Sequence, residues 1–272
     1  MTICLAAICS FKPDSGEEAI VFCTDHMLTM GAGNNELGGF EQSIEKFKVL
    51  GPGKVCLLSG NPLLANQLYA YPYADMGIER MAEQIYKNMV QARKEKVERQ
   101  LGLRGLTLSD AKQMLNGEIK NPHAAQLMDM YQNYSIQTSV LLLGFCNKKE
   151  ARIFSINESG FEDHRDINFS AIGSGAMQAL NSMLFQRHSK KDPLAQTIYA
   201  VYKAKKNSEV CSGVGKETDL MVLVNSGSQQ IFKINDEKMA MLEKIFEEEI
   251  SLGKEHKDLT SIIGGDENAP RI

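Results

Sequence analysis

No CxxC pair occurs among the six cysteines (Cys4, Cys9, Cys23, Cys56, Cys146, Cys211), so a zinc site is not expected. Four of them, Cys4, Cys9, Cys23 and Cys56, sit in strand-like apolar runs, which suits buried free thiols in a reducing compartment. There is no excess of basic charge: 30 Lys and Arg face 34 Asp and Glu, and the net charge of −4 points away from a nucleic-acid partner. Long apolar runs are missing too. The stretch 140–144 falls far short of the roughly 20 residues that span a bilayer, so no membrane partner is expected. No basic segment precedes an apolar core near Met1, so no secretory signal is expected and a cytoplasmic location is the simplest expectation. His123, His164, His188 and His256 lie in polar surroundings without ligand-like spacing, so neither metal nor cofactor is anticipated. Internal repeats and domain linkers are also absent from the pattern.

What is present reads as a globular chain of 272 residues, 43% hydrophobic and 24% charged. Residues 3–11, 19–24, 46–50 and 55–59 predict strands, with 12–18 as a polar turn and 30–39 as a glycine-rich surface loop. Helical spacing takes over after Asn61-Pro62, through Leu63, Leu64, Leu68, Ile78, Met81, Ile85 and Met89. The charged stretch 92–99 mixes both signs and reads as a solvated helix face. Further helices are expected from Ser109 and over 122–134. Strands return at 137–145, 151–156 and near Ser170, then helices at 175–186 and 193–204. A last hairpin pairs 220–224 with 230–234, followed by a helix over 236–252. Segregated blocks of strands and helices predict an α+β fold, two antiparallel sheets packed face to face with a helical layer on each. One domain is expected over 1–252, with a helical insertion at about 100–135 and a polar, disordered tail at 253–272.

Thr2 is the residue with the most chemical promise. Removal of Met1 would leave it with a hydroxyl nucleophile and a free α-amine that can serve as its base. Cys4 is close by but is not a terminal residue, and is not the expected nucleophile. His26 follows Asp25 directly, and strand alternation turns it to the opposite face.

Several short signatures follow Thr2 in a definite order. Cys23-Thr24-Asp25 ends one strand and Glu45-Lys46-Phe47-Lys48-Val49 begins another. Val55 to Gly60 (VCLLSG), Ala171 to Gly175 (AIGSG) and Ser212-Gly213 come later. In this order the chain resembles the proteasome β-subunit and the peptidase subunit of the bacterial two-component ATP-dependent protease. Both are N-terminal-nucleophile (Ntn) hydrolases, and the likeness points to a bacterial-type branch. It covers roughly residues 2–60 and 137–235, the helical part between them being longer.

The resemblance implies a four-layer αββα sandwich and a threonine peptidase. Thr2 would attack an amide carbonyl, its α-amine (ordinary pKa about 7.7–8.0) taking the hydroxyl proton through a water. Lys46 would stand beside the hydroxyl, favouring the deprotonated oxygen and lowering the pKa of the amine, and Asp25 would keep Lys46 charged. Gly60 falls where the family places an oxyanion amide, a kind of donor whose loss costs about 3–4 kcal/mol. Ser174 matches the serine that holds the amine and its water, and the same turn would start a helix. Ser212 matches a further serine. Three residues before it, Glu209 replaces the family's aspartate, and its extra methylene displaces the carboxylate on a scale that matters for catalysis. Leu28, Ile44 and Leu58 fall around the pocket for the residue before the scissile bond, so cleavage after hydrophobic residues is expected. A polypeptide substrate, self-association into rings and an ATP-dependent unfoldase as partner are implied as well. A non-catalytic scaffold like the proteasome α-subunit, or a small-molecule amidohydrolase, remains open on the same fold.

Overall fold

The computed structural model describes residues 2–12, 15–32, 35–41, 46–70, 72–118, 124–147, 149–225 and 230–254. Strand β1 (Ile3–Ser10) is buried on both faces, and its alternation decides the architecture. Its even residues, Cys4, Ala6 and Ile8, join one apolar cluster with Ile20, Phe22, Val55, Leu57, Leu141, Leu143 and Ile153. A strand whose odd residues (Ile3, Leu5, Ala7, Cys9) are equally buried needs a second layer behind it.

Two antiparallel sheets of five strands meet that demand. In the first, β1 pairs with β2 (Glu18–Asp25) on one side and β10 (Phe169–Gly173) on the other, and β11 (Thr218–Val224) and β12 (Ile231–Lys233) extend it beyond β2. The second runs β5 (Phe47–Gly51), β6 (Lys54–Ser59), β7 (Ser139–Phe145), β8 (Ala151–Asn157) and β9 (Gly160–Asp163). Helices α5 (Ala176–Phe185) and α6 (Leu194–Ser208) cover the outer face of the first sheet. The outer face of the second carries α2 (Ile78–Gly102), which follows a 3-10 turn (Pro62–Leu64) and the short α1 (Ala65–Leu68). The result is the expected α+β sandwich of antiparallel sheets with helices outside.

Helix α2 serves two apolar clusters in succession. Ile78, Met81, Ala82, Ile85, Met89 and Ala92 pack on Cys56, Val140, Leu142, Phe154 and Ile156 of the second sheet. One to two turns further on, Val97 and Leu101 pack instead with Ala111, Met114 and Leu127. These belong to α3 (Leu108–Leu115) and α4 (Ala124–Asn133), which fall within the helical segment expected at about 100–135. Between the two clusters Arg93 donates to the carbonyls of Tyr131 at 2.9 Å and Tyr134 at 2.8 Å, supplying donors to backbone oxygens at the end of α4. The N-cap of α3 is Thr107, in a capping box with Asp110, so that helix starts before the expected Ser109.

One expected loop contains paired strands. Residues 30–32 and 35–39 lie in β3 (Met27–Ala32) and β4 (Asn35–Glu41), which pair as a separate two-stranded sheet. Backbone pairing supplies the ladder there, whereas the glycines leave no side-chain alternation to reveal it. The chain divides into two compact units, Met1–Lys233 and Ile234–Ile272. The second unit holds α7 (Asp236–Lys254), and most of the tail expected at 253–272 lies outside the described residues. Among the described residues no helix is long and apolar enough to cross a membrane.

Burial has a chemical consequence for the thiols. Desolvation pushes Cys9, Cys23 and Cys56 up to about 12, and Cys4 further still. Cys146 and Cys211 are only partly buried. Because the thiolate is the reactive form, an aromatic disulfide reagent at neutral pH should modify Cys146 and Cys211 readily and the other four only after denaturation. Six fast thiols in the folded protein, counted by absorbance, would contradict this burial.

Candidate active site

The start of β1 lies between the ends of β2 and β10, and there the polar residues gather. Cys4 pairs with Thr24 and Ile3 with Gly173, so Thr2 emerges beside Asp25 with only 3% of its surface exposed. Lys46 precedes β5, and its carbonyl accepts the Leu58 N–H at 3.0 Å, which holds its backbone against β6. From that anchor its side chain reaches the same point.

The three side chains form a closed set. The Thr2 hydroxyl donates to Oδ1 of Asp25. Lys46 Nζ lies 2.5 Å from Thr2 Oγ1, 2.6 Å from Asp25 Oδ1 and 2.5 Å from the Met27 carbonyl, so the ammonium has three acceptors. Asp25 is wholly buried and also accepts the Ile3 N–H at 3.1 Å on Oδ1 and the Gly215 N–H at 2.7 Å on Oδ2. A buried ion pair is tolerated where both charges are neutralised and hydrogen-bonded in this way. The ammonium sits where it would stabilise negative charge developing on the Thr2 oxygen.

The Thr2 backbone is held from the β10 side. Its carbonyl accepts from the Ser174 hydroxyl and the Gly175 N–H, both at 3.4 Å. Gly173 has φ +104°, and a Cβ there would stand 2.1 Å from the Thr2 carbonyl oxygen, so only glycine permits this approach. The helix-capping role expected for Ser174 is not found: the N-cap of α5 is Gly175, without a side-chain bond. The Ser174 hydroxyl is turned to Thr2 instead.

Most of the chain matches solved structures in fold, with little likeness in sequence. Anbu (ancestral beta-subunit) from Yersinia bercovieri superimposes with a TM-score of 0.61 at 13% identity, over 95% of this chain and 98% of that one. The chain has the Anbu fold. A mutant of Anbu from Hyphomicrobium sp. strain MC1 gives 0.60 at 14% identity, over 94% and 99%. No family model matches the chain, and no curated protein does either.

Within this Anbu fold the remaining expected residues take different places. Gly60 closes β6 with φ +104°, and a Cβ would lie 2.0 Å from the Gln137 carbonyl, so a protein carbonyl already accounts for the glycine. Its neighbour Ser59 is buried, and its hydroxyl would lie 3.1 Å from a Cβ at Gly173. Glu209 caps the end of α6, where its carboxylate lies 2.6 Å from Lys205 Nζ and 3.4 Å from Lys206 Nζ. Ser212 is exposed in the turn that follows. Leu58 is half-buried and packs with the cluster beneath α2. Leu28 lies in β3, its side chain outside what is described, and Ile44 is outside the described residues. His26 turns away from Thr2 to Glu217 at 2.9 Å and Asp219 at 2.7 Å. Among the described residues no three metal-ligating side chains converge.

Sequence reasoning missed Gly215 and Lys205. Gly215 acts through its backbone N–H, which no residue type announces. Lys205 carries a faint signal, a lysine one helical turn before Glu209.

Proposed function

We propose that the protein is a threonine-type peptidase of the proteasome-like Ntn class, with Thr2 as nucleophile after removal of Met1. The observation that carries this reading is the buried Thr2 hydroxyl held jointly by Lys46 and Asp25. While Met1 is attached, the Thr2 nitrogen is a peptide amide and cannot accept a proton. Freed, it becomes an amine beside its own hydroxyl. Thr2 Oγ1 then attacks the substrate carbonyl and the amine takes the hydroxyl proton. The Lys46 ammonium offsets the charge on oxygen, and the Gly60 N–H faces the oxyanion. The α-ammonium then returns that proton to the leaving nitrogen, so that collapse expels the amine half of the substrate and leaves an ester on Thr2. The freed amine takes a proton from the water that hydrolyses this ester. Ser174, already at the Thr2 carbonyl, orders the amine and its water.

The substrate in this reading is a polypeptide cleaved after hydrophobic residues. Subunits assemble into rings in the cytoplasm, fed by an ATP-dependent unfoldase. The description of the Yersinia bercovieri structure as an ancestral beta-subunit supports assembly.

A peptide epoxyketone tests the reading, because its two electrophilic centres need a hydroxyl and a free amine on one residue. Intact mass should show loss of Met1 and one covalent adduct, mapped to Thr2 by digestion. A retained Met1 with no adduct would favour the scaffold instead.

A further inference from the structure

We propose that Lys205 is a positioning residue for the Thr2 site. Through the Lys216 carbonyl it fixes the turn that presents the Gly215 N–H to Asp25, and so sets how that carboxylate faces Thr2 and Lys46. This rests on the reading of Thr2 as nucleophile.

Lysine–glutamate pairs four residues apart ordinarily lie on helix surfaces, where they contribute little. Lys205 does not: its side chain is 0% exposed. Its ammonium has two partners, Glu209 Oε1 and the Lys216 carbonyl, each at 2.6 Å. The first neutralises the charge, and the second ties the C-terminal end of α6 to the segment that leads into β11. Burial would be unnecessary for the first contact alone, and the second is what the buried position provides.

That segment has no regular structure. Turn bonds shape its first part, from the Cys211 N–H to the Ser208 carbonyl at 3.0 Å and from the Val214 N–H to the Cys211 carbonyl at 3.2 Å. Immediately after Val214, Gly215 donates to Asp25 Oδ2. The Lys216 carbonyl accepts from Lys205 at 2.6 Å and from the Thr218 hydroxyl at 3.3 Å, the ammonium being the shorter and charged contact. The anchored carbonyl and the donating amide are thus one residue apart, and a few backbone torsions connect them.

Asp25 uses its two oxygens differently. Oδ1 collects the Thr2 hydroxyl, the Ile3 N–H and Lys46, while Oδ2 takes the Gly215 N–H. A carboxylate held on both oxygens cannot rotate. Release of Gly215 would free Oδ2, let the group turn, and shift Oδ1 relative to the Thr2 oxygen.

Lys205→Met, which keeps the length of the side chain and removes the charge, tests the coupling by two readouts. The first is hydrogen exchange of the Gly215 amide, followed by NMR. It should accelerate roughly tenfold or more while amides of β1 and β2 keep their protection. The second is labelling by the peptide epoxyketone. Its limiting rate kinact should fall roughly tenfold or more with KI unchanged, since only the alignment of the reacting groups is altered. Unchanged Gly215 exchange, or equal loss of protection throughout the first sheet, would overturn the proposal. If Lys205→Met does not fold, Lys205→Gln, neutral and shorter than lysine, removes the same reach to the Lys216 carbonyl and carries the same comparison with the same sign. Failure of the wild-type protein to react would sink the reading of Thr2 as nucleophile, and the Gly215 exchange would still decide the coupling.

Discussion

Thr2→Ala should abolish covalent capture by the peptide epoxyketone, a loss of at least about a thousandfold, and leave the fold in place. The hydroxyl is the atom that would form the ester, and no neighbouring group can replace it. Cys4 lies two residues along the same face, but burial holds its thiol protonated. Stability should change by only about 1 kcal/mol, because Asp25 keeps Lys46, the Ile3 N–H and the Gly215 N–H when Thr2 loses its oxygen. Thr2→Ser keeps both nucleophile and amine and should still be labelled. Intact mass with a thermal melt checks the set. Labelling of Thr2→Ala at the wild-type rate would place the reactive residue elsewhere.

Lys46→Met should have the opposite balance, a large loss of stability together with a loss of reactivity. Asp25 is 0% exposed, and without Lys46 it becomes a buried carboxylate with no counter-charge. Removing one partner of a buried pair costs about 3–5 kcal/mol. For a unit of this size that corresponds to a fall in Tm of roughly 6–20 °C. The companion variant Asp25→Asn/Lys46→Met removes the orphaned charge and should recover much of the melting temperature. It should recover none of the reactivity, since nothing then stabilises the Thr2 oxygen. Recovery of both would mean that the pair acts only in stability. A Lys46→Met protein as stable as wild type would mean that water, rather than Lys46, satisfies Asp25.

The sequence disclosed the sheets because their strands are buried on both sides and read as continuous apolar runs, as in 3–11 and 55–59. It concealed β3 and β4, where glycines contribute backbone but little side-chain pattern, and β9, whose four residues are mostly exposed. Of the site, the convergence of Thr2, Asp25 and Lys46 was expected from the order of short signatures. Glu209 was expected near Thr2 by the same means, yet its carboxylate bonds to Lys205 and Lys206. Spacing along the chain could not show that choice, because it depends on which way one side chain turns at the end of α6. The Gly60 backbone was equally opaque. Its crowding by Gln137 arises from a residue 77 positions away.

Helix α2 has one further implication. Its first half is fastened to the sheet that carries β6, while its second half belongs to a small knot of Val97, Leu101, Ala111, Met114 and Leu127. Two apolar clusters strung along one rod can melt separately. The knot should therefore accept trimming or fusion to a reporter as long as Tyr134, which packs against both clusters, is kept, and this gives selection and engineering alike a handle detached from the chemistry.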